Sequence, residues 1–60
     1  MLDSDGWNYD LNAIPNVGGT AIYVRLMDGS VVDTAVVRVD DGTYRLRDMR
    51  IREVRSWRLK

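Results

Sequence analysis

The chain has 60 residues, 45% of them hydrophobic, and its nine basic and nine acidic residues give a formal net charge of zero. A chain of this length forms one small domain that buries only about 60% of its unfolded surface. It contains neither Cys nor His, which excludes disulfides and thiolate zinc sites and removes the commonest general base. We therefore predict a single domain over residues 1–60, with no cofactor and no metal.

Residues 1–19 contain the only Pro and three of the five Gly, without a sustained period of 2 or 3.6 residues. We predict an irregular lead-in here, with one helical turn in the stretch DLNAIP that ends at Pro15. We expect Trp7, together with Leu11 or Ile14, to cover one end of the core. Trp7 and Tyr9 could equally anchor an interface, because Trp and Tyr are enriched at binding hot spots.

Residues 20–60 carry the strand signals of the chain. Residues 20–27 are β-branched and aromatic with alternating apolar positions, and residues 31–40 resume that pattern. Asp-Gly follows each run, at 28–29 and at 41–42, and Asp-Gly between β-rich runs is a strong hairpin signal. The pattern predicts a three-stranded meander.

Loop lengths predict how these strands pair. A two-residue loop at 41–42 places Val37 opposite Leu46, and it also places Arg38 directly opposite Arg45. A three-residue loop at 28–30 places Arg25 opposite Asp33. The apolar positions of the second strand change phase, which indicates a β-bulge between Thr34 and Val36.

The last sixteen residues, RLRDMRIREVRSWRLK, leave two structures open between residues 49 and 58. A helix would interrupt its apolar stripe with Arg58, so we favour a strand, a turn and a closing strand. A turn or bulge between Glu53 and Ser56 would let the final strand close the sheet. The core-facing residues would then be Leu46, Ile51, Val54, Trp57 and Leu59.

Charge is distributed unevenly along the chain. Residues 1–44 hold seven acidic and two basic residues, a net charge of −5, and residues 45–60 hold seven basic and two acidic residues, a net charge of +5. Outward-facing arginines in a strand could meet an acidic protein surface or follow a phosphate backbone. They could also be a solvated face that discourages aggregation. The candidate binding residues are Arg38, Arg45, Arg47, Arg50, Arg52, Trp7 and Tyr9.

Signatures of enzymes are missing from the chain, which has no G-x-S-x-G motif and no P-loop. Asp40 and Asp41 form a carboxylate pair, but Asp is also the expected residue in a hairpin turn. No run of residues approaches the ~20 apolar residues that span a bilayer, and the acidic N-terminus lacks the pattern of a signal peptide. We therefore expect a non-enzymatic protein that is cytoplasmic and does not enter a membrane.

The two ends of the chain resemble small phage and prophage proteins of unknown function, of the DUF551-like kind. The opening WNYDLNAIPNVGGTAIYV is similar to their W-x-x-[ILM]-x-x-A-P-x-x-G-T pattern, and the ending VRSWRL to their V-x-x-W pattern. The resemblance implies a phage origin, and hence a host cell as the location, without assigning a biochemical function. The matching positions are Trp7, Pro15, Gly19, Thr20, Ile22, Val24, Val54, Trp57 and Leu59.

Residues 22–48 are similar to the first motif of Sm-like RNA-binding barrels, with its L-x-D-G turn and bent strand. The RNA-contacting Asn of that motif is absent, and Ile51-Arg52 is followed by Glu53 where the second motif has Gly. The resemblance therefore implies the topology of a bent barrel and not the RNA site. SH3-like barrels share this arrangement of strands and turns, and a fold alone does not assign a function.

Together these observations predict an all-β fold, a small and strongly bent SH3-like barrel of four to five antiparallel strands. The predicted function is a binding module that meets a protein partner with an acidic surface, in a phage setting a host factor. Weak nucleic-acid binding and a structural role in a phage assembly are the alternatives. Dimerisation through an open strand edge, or through Trp7 and Tyr9, is also left open.

Overall fold

A computed structural model, which describes residues 5–60, shows one antiparallel sheet of four strands curled into a half-barrel. The all-β prediction is confirmed, and the described residues contain no α-helix. No helix among them is long and apolar enough to cross a membrane. The first four residues of the predicted lead-in lie outside the described part. The strands are β1 (Ala21–Leu26), β2 (Val31–Arg38), β3 (Tyr44–Leu46) and β4 (Val54–Leu59), in the order β3-β2-β1-β4.

The core lies on the concave face of the sheet. Ile22 and Val24 of β1 are fully buried, and they alternate with Tyr23 and Arg25, which are half-buried on the opposite face. This is the two-residue period that the sequence predicts for a sheet with one face covered. The other apolar side chains of the core cluster are Val36, Leu46, Val54 and Trp57.

Both hairpins have three-residue loops of the same design. The amide of Gly29 donates to the carbonyl of Leu26 at 2.9 Å, and the amide of Gly42 donates to the carbonyl of Val39 at the same distance. Both glycines have positive φ, +90° and +86°, as the last position of a type I turn with a G1 bulge requires. The loops are therefore residues 27–29 and 40–42, and the predicted two-residue loop at 41–42 is wrong.

The positions and lengths of the loops change the predicted pairing of the strands. Arg38 lies opposite Tyr44, and Arg45 lies opposite Val37, so the predicted pairing of Arg38 with Arg45 is wrong. A loop that is one residue longer shifts the register by one and turns each side chain to the other face. In the first hairpin the loop has the predicted length but begins one residue earlier, at 27 and not at 28. Asp33 therefore lies opposite Tyr23, and the predicted pairing of Arg25 with Asp33 is wrong because Arg25 lies opposite Val31.

Strand β2 keeps a single phase, and the bulge lies elsewhere. Thr34 is buried and Val36 is buried on the same face, so the bulge predicted between these residues is absent from the register of β2. The bulge was predicted by turning Val37 and Val39 toward the core, whereas Val36 is the buried residue in this part of β2. The irregularity lies in β4, where Arg25 pairs with Ser56 and Leu26 with Val54, so that Arg55 is the extra residue. An adjustment between Glu53 and Ser56 is thus confirmed.

The end of the chain follows the predicted order of strand, turn and strand. A 3-10 helix at Ile51–Glu53 forms the turn before β4. Leu46, Val54 and Trp57 are buried as predicted, but Ile51 and Leu59 are exposed by 49% and 59%. The assignment of these two to the core is wrong, since Ile51 lies in the turn and Leu59 is the last residue of an edge strand.

The lead-in is fastened to β4 by main-chain and side-chain contacts. Asn8 and Trp57 exchange main-chain hydrogen bonds of 2.8 and 3.0 Å, and the indole Nε1 of Trp57 donates to the carbonyl of Asp10 at 3.0 Å. A 3-10 helix at Leu11–Ala13 follows, as predicted before Pro15. Leu11 and Ile14 are half-buried against the core, so they cover one end of it as expected.

Candidate functional site

A groove of about 440 Å³ lies between the lead-in and β3. The lead-in forms one wall, β2 and β3 form the other, and the segment after β3 closes one end. We call this the basic groove. Its lining residues are Leu11, Asn12, Ile14, Asn16, Val36, Tyr44, Arg45, Leu46, Met49, Arg50 and Ile51.

The lining of the basic groove is apolar with two positive charges. Leu11, Ile14 and Met49 are half-buried around it, and Ile51 presents half of its surface to solvent. Arg45 and Arg50 line the same groove, and no carboxylate among residues 5–60 lines it. Neither guanidinium forms an ion pair with another residue of the described part. The groove thus offers a largely apolar surface lined by two arginines whose side chains form no ion pair there, although the carboxylate of Glu53 accepts a hydrogen bond from the amide of Arg50 at 2.9 Å.

The structure separates the arginines that the sequence places in one row. Strand β3 ends at Leu46, so Arg47 and the residues after it do not continue a strand. Arg47 pairs with Asp48 through its Nε at 3.2 Å. Arg52 lies in the 3-10 turn, beside a second groove. Arg45 and Arg50 are therefore the two arginines that line one groove.

Arg38 is placed apart from that pair. It is the last residue of β2, is exposed, and does not line the basic groove. Because it faces Tyr44 and not Arg45, no like-charge pair of directly opposed residues exists to require an anion there.

Trp7 is buried, whereas Tyr9 is exposed. Trp7 is 6% exposed, and the guanidinium carbon of Arg25 lies 4.5 Å from its ring centroid, with that of Arg58 at 5.8 Å. Both distances are within the range of a cation–π interaction. Trp7 is therefore buried against Arg25 and Arg58 and lies outside the core cluster, so the expectation that it covers one end of the core with Leu11 or Ile14 is wrong for Trp7. Tyr9 is 42% exposed.

The second groove has a different chemistry. It has a volume of about 810 Å³ and is lined by Asp28, Asp48 and Glu53 together with Arg52 and four apolar residues. No group of three or more His, Cys, Asp or Glu residues within residues 5–60 is placed to hold a metal ion. Arg52 thus shares its groove with three carboxylates, unlike Arg45 and Arg50.

Sequence reasoning missed the apolar part of the basic groove. Leu11 and Ile14 were expected as core cover, and Tyr44, Met49 and Ile51 were not singled out for binding. The available signal was a Met and an Ile between arginines in the stretch RDMRIRE. Apolar residues in a charged segment outside a strand indicate an apolar surface that contacts another molecule.

Comparisons of the chain with models of protein families, with curated proteins and with solved structures found no match.

Proposed function

We propose that the chain is a non-enzymatic binding module that recognises an acidic segment of a protein partner through the basic groove. One observation carries the proposal: a largely apolar groove is lined by two arginines and by no carboxylate of the described residues. A guanidinium that is unpaired in the free protein can form charge-assisted hydrogen bonds with a partner's carboxylate. The apolar walls add the buried area that a peptide side chain needs.

The residue content supports a binding role over an enzymatic one. The chain has no His and no Cys, so the usual general base and the usual thiol nucleophile are lacking. Asp40 and Asp41 lie in or beside the turn of the second hairpin, and the carboxylate of Asp41 accepts hydrogen bonds from Thr43. These contacts assign Asp41 to turn formation.

The distribution of charge supports a protein partner over nucleic acid. A phosphate backbone is best followed by a line of cations. Here Arg47 is paired with Asp48, and Arg52 shares its groove with three carboxylates. Two cations beside an apolar surface suit a short acidic peptide better than a continuous polyanion.

The biological setting rests on the resemblance of the two ends of the chain to phage and prophage proteins. Under this proposal the protein acts in the cytoplasm of a host cell, and its partner is a host factor. A structural role in a phage assembly is the competing setting.

The first test is a selection from a library of random twelve-residue peptides displayed on phage, with the wild-type protein as bait. We expect the enriched peptides to carry Asp or Glu beside an apolar residue. We expect the double variant Arg45→Glu/Arg50→Glu to bind them at least about tenfold more weakly, because each lost charge-assisted hydrogen bond contributes roughly 1.5–3 kcal/mol.

The matched control is Arg47→Glu/Arg55→Glu, which changes the net charge equally outside the basic groove. It should bind the selected peptides as the wild type does. Absence of any enrichment, enrichment of peptides without acids, or equal losses in both double variants would each refute the proposal. Tight, salt-sensitive binding of duplex DNA, single-stranded DNA or RNA at ~50 mM salt would favour nucleic acid instead.

A further inference from the structure

Strand β3 is an edge of the sheet with a row of free main-chain groups. The amide of Arg47 donates to the carbonyl of Ala35, and the carbonyl of Thr43 accepts from the amide of Val39. The main-chain groups of the odd-numbered residues at either end of β3 therefore point toward β2. Antiparallel strands alternate the direction of their main-chain groups. The N–H and C=O groups of Tyr44 and Leu46 therefore point away from β2, and they have no main-chain partner among residues 5–60.

The opposite edge of the sheet is covered at Trp57. Strand β4 pairs with β1 on one side, and Asn8 pairs with Trp57 on the other. An exposed edge strand is a template for pairing with another chain. No main-chain pairing covers the edge of β3 in the described part of the chain, so it is the more open of the two edges.

The free edge and the basic groove are the same place. Tyr44, Arg45 and Leu46 form both the edge strand and one wall of the groove. An added strand would therefore turn alternate side chains toward the groove. Its remaining side chains would face the opposite side of the sheet.

We infer that the partner segment binds as an added β-strand, an extended acidic peptide that pairs with Tyr44 and Leu46 and presents carboxylates to Arg45 and Arg50. The inference rests on the proposed function and adds the mode of recognition to it. Main-chain hydrogen bonds supply affinity in this mode, and alternate side chains supply specificity.

A second copy of the chain fits the edge less well. The register that pairs both Tyr44 and Leu46 in a symmetric antiparallel dimer places Arg45 opposite Arg45 of the other copy. Like charges directly opposed destabilise a sheet. An acidic strand has the complementary charge.

The test uses a capped nine-residue peptide of alternating Glu and Val as the parent. It is compared with two methylated versions, one with an N-methyl group at every Glu and the other with an N-methyl group at every Val. Methylation removes N–H donors but keeps every side chain. Only alternate N–H groups of an added strand face β3, so we expect one methylated version to bind on the order of tenfold more weakly and the other to bind nearly as the parent does. In parallel, amide hydrogen exchange at Tyr44 and Leu46 should slow when the parent peptide is bound.

Each result bears on one of the two proposals. Strand addition is refuted if all three peptides bind equally, or if amide exchange at Tyr44 and Leu46 is unchanged in the complex. In that case a peptide selection that depends on Arg45 and Arg50 still supports binding in the basic groove. No binding of the parent peptide at ~1 mM also refutes strand addition by an acidic peptide. A dimer in light scattering without peptide, with slowed exchange at Tyr44 and Leu46, assigns the edge to a second copy and refutes the inference.

Discussion

Asp28 and Asp41 occupy equivalent positions in the two hairpin loops. Each carboxylate accepts a hydrogen bond from the amide and from the hydroxyl of the residue two positions later, Ser30 at 2.9 and 2.6 Å and Thr43 at 3.0 and 2.6 Å. The hydroxyl of Ser30 or Thr43, with the amide of the same residue, holds the pKa of each carboxyl below its ordinary value of 3.8. Hydrogen bonds to the ionised form have this effect.

Acid should therefore weaken the two loops. A carboxyl whose folded pKa is lowered contributes stability that is fully present above its unfolded pKa, near 3.8, and is lost as pH falls through the folded value. We expect the stability difference between wild type and Asp28→Asn/Asp41→Asn to shrink as pH drops below that point. Urea unfolding at a series of pH values measures it, with Asp40→Asn as the control for a charge change in the same loop. A difference that is constant with pH would contradict the argument.

Ser56 is a fully buried hydroxyl on β4. Its Oγ has no hydrogen-bond partner among the residues that the structure describes. An unsatisfied buried polar group typically costs ~1–3 kcal/mol.

Replacing Ser56 with Ala should consequently raise the free energy of unfolding, by about 1–2 kcal/mol, because the hydroxyl is removed and little volume is lost. Urea denaturation provides the measurement. Thr34→Val is the comparison, since Thr34 is also buried but its Oγ1 lies 3.5 Å from Asp48 Oδ2. A less stable Ser56→Ala protein would show that the hydroxyl has a partner.

At the level of the elements, the hairpin loops depend on glycine. Gly29 has a φ of +90°, and a Cβ added there would meet no atom within 4 Å. Any cost of a side chain at this position therefore comes from the backbone conformation and not from a clash.

We expect Gly29→Ala to lower the free energy of unfolding by about 1–2 kcal/mol, the cost of the left-handed conformation for an L-residue. Gly18→Ala is the matched control, because a Cβ there would lie at an ordinary contact distance of 3.9 Å from Arg38 Cβ. That variant should be neutral or slightly stabilised, since alanine restricts the unfolded chain. Equal losses in both variants, measured in urea, would exclude a role for positive φ.

In the whole molecule, the strand order places the basic end of the sequence next to its acidic part. Strand β4 comes from the basic end and pairs with β1 from the acidic part. Lys60 then reaches Asp33, and its Nζ donates to that carboxylate, which raises the pKa of Lys60. Basic residues at the end of the chain thus lie beside acidic residues of the first part, whereas Arg45 and Arg50 line a groove without a carboxylate among residues 5–60. A net charge of zero is therefore compatible with a local excess of positive charge.

The lead-in has a structural and a binding consequence for the whole molecule. Trp57 lies in the core, and its Nε1 bonds to the lead-in at Asp10. The residues that follow, Leu11 and Ile14, form a wall of the basic groove. A 60-residue chain has a small core, so a segment that covers its end contributes to stability and also shapes the binding surface.

The sequence alone determined the identity of the elements. The alternation of residues 20–27, the two Asp-Gly turns and the turn before Trp57 each depend on local rules of strand period and turn chemistry. These rules predict β1, the hairpins and the burial of Trp57 correctly. The clustering of arginines near the end of the chain was also visible, although their arrangement was not.

Only the tertiary structure decided the register of the strands and which residues line the basic groove. Local pattern does not distinguish a loop at 41–42 from one at 40–42, yet this single residue decides whether Arg45 faces Arg38 or Val37. Likewise, the basic groove joins Leu11 to Met49 and Arg50, residues far apart in the chain. Their meeting depends on how the lead-in packs against the edge of β3, and no period in the sequence encodes such long-range packing.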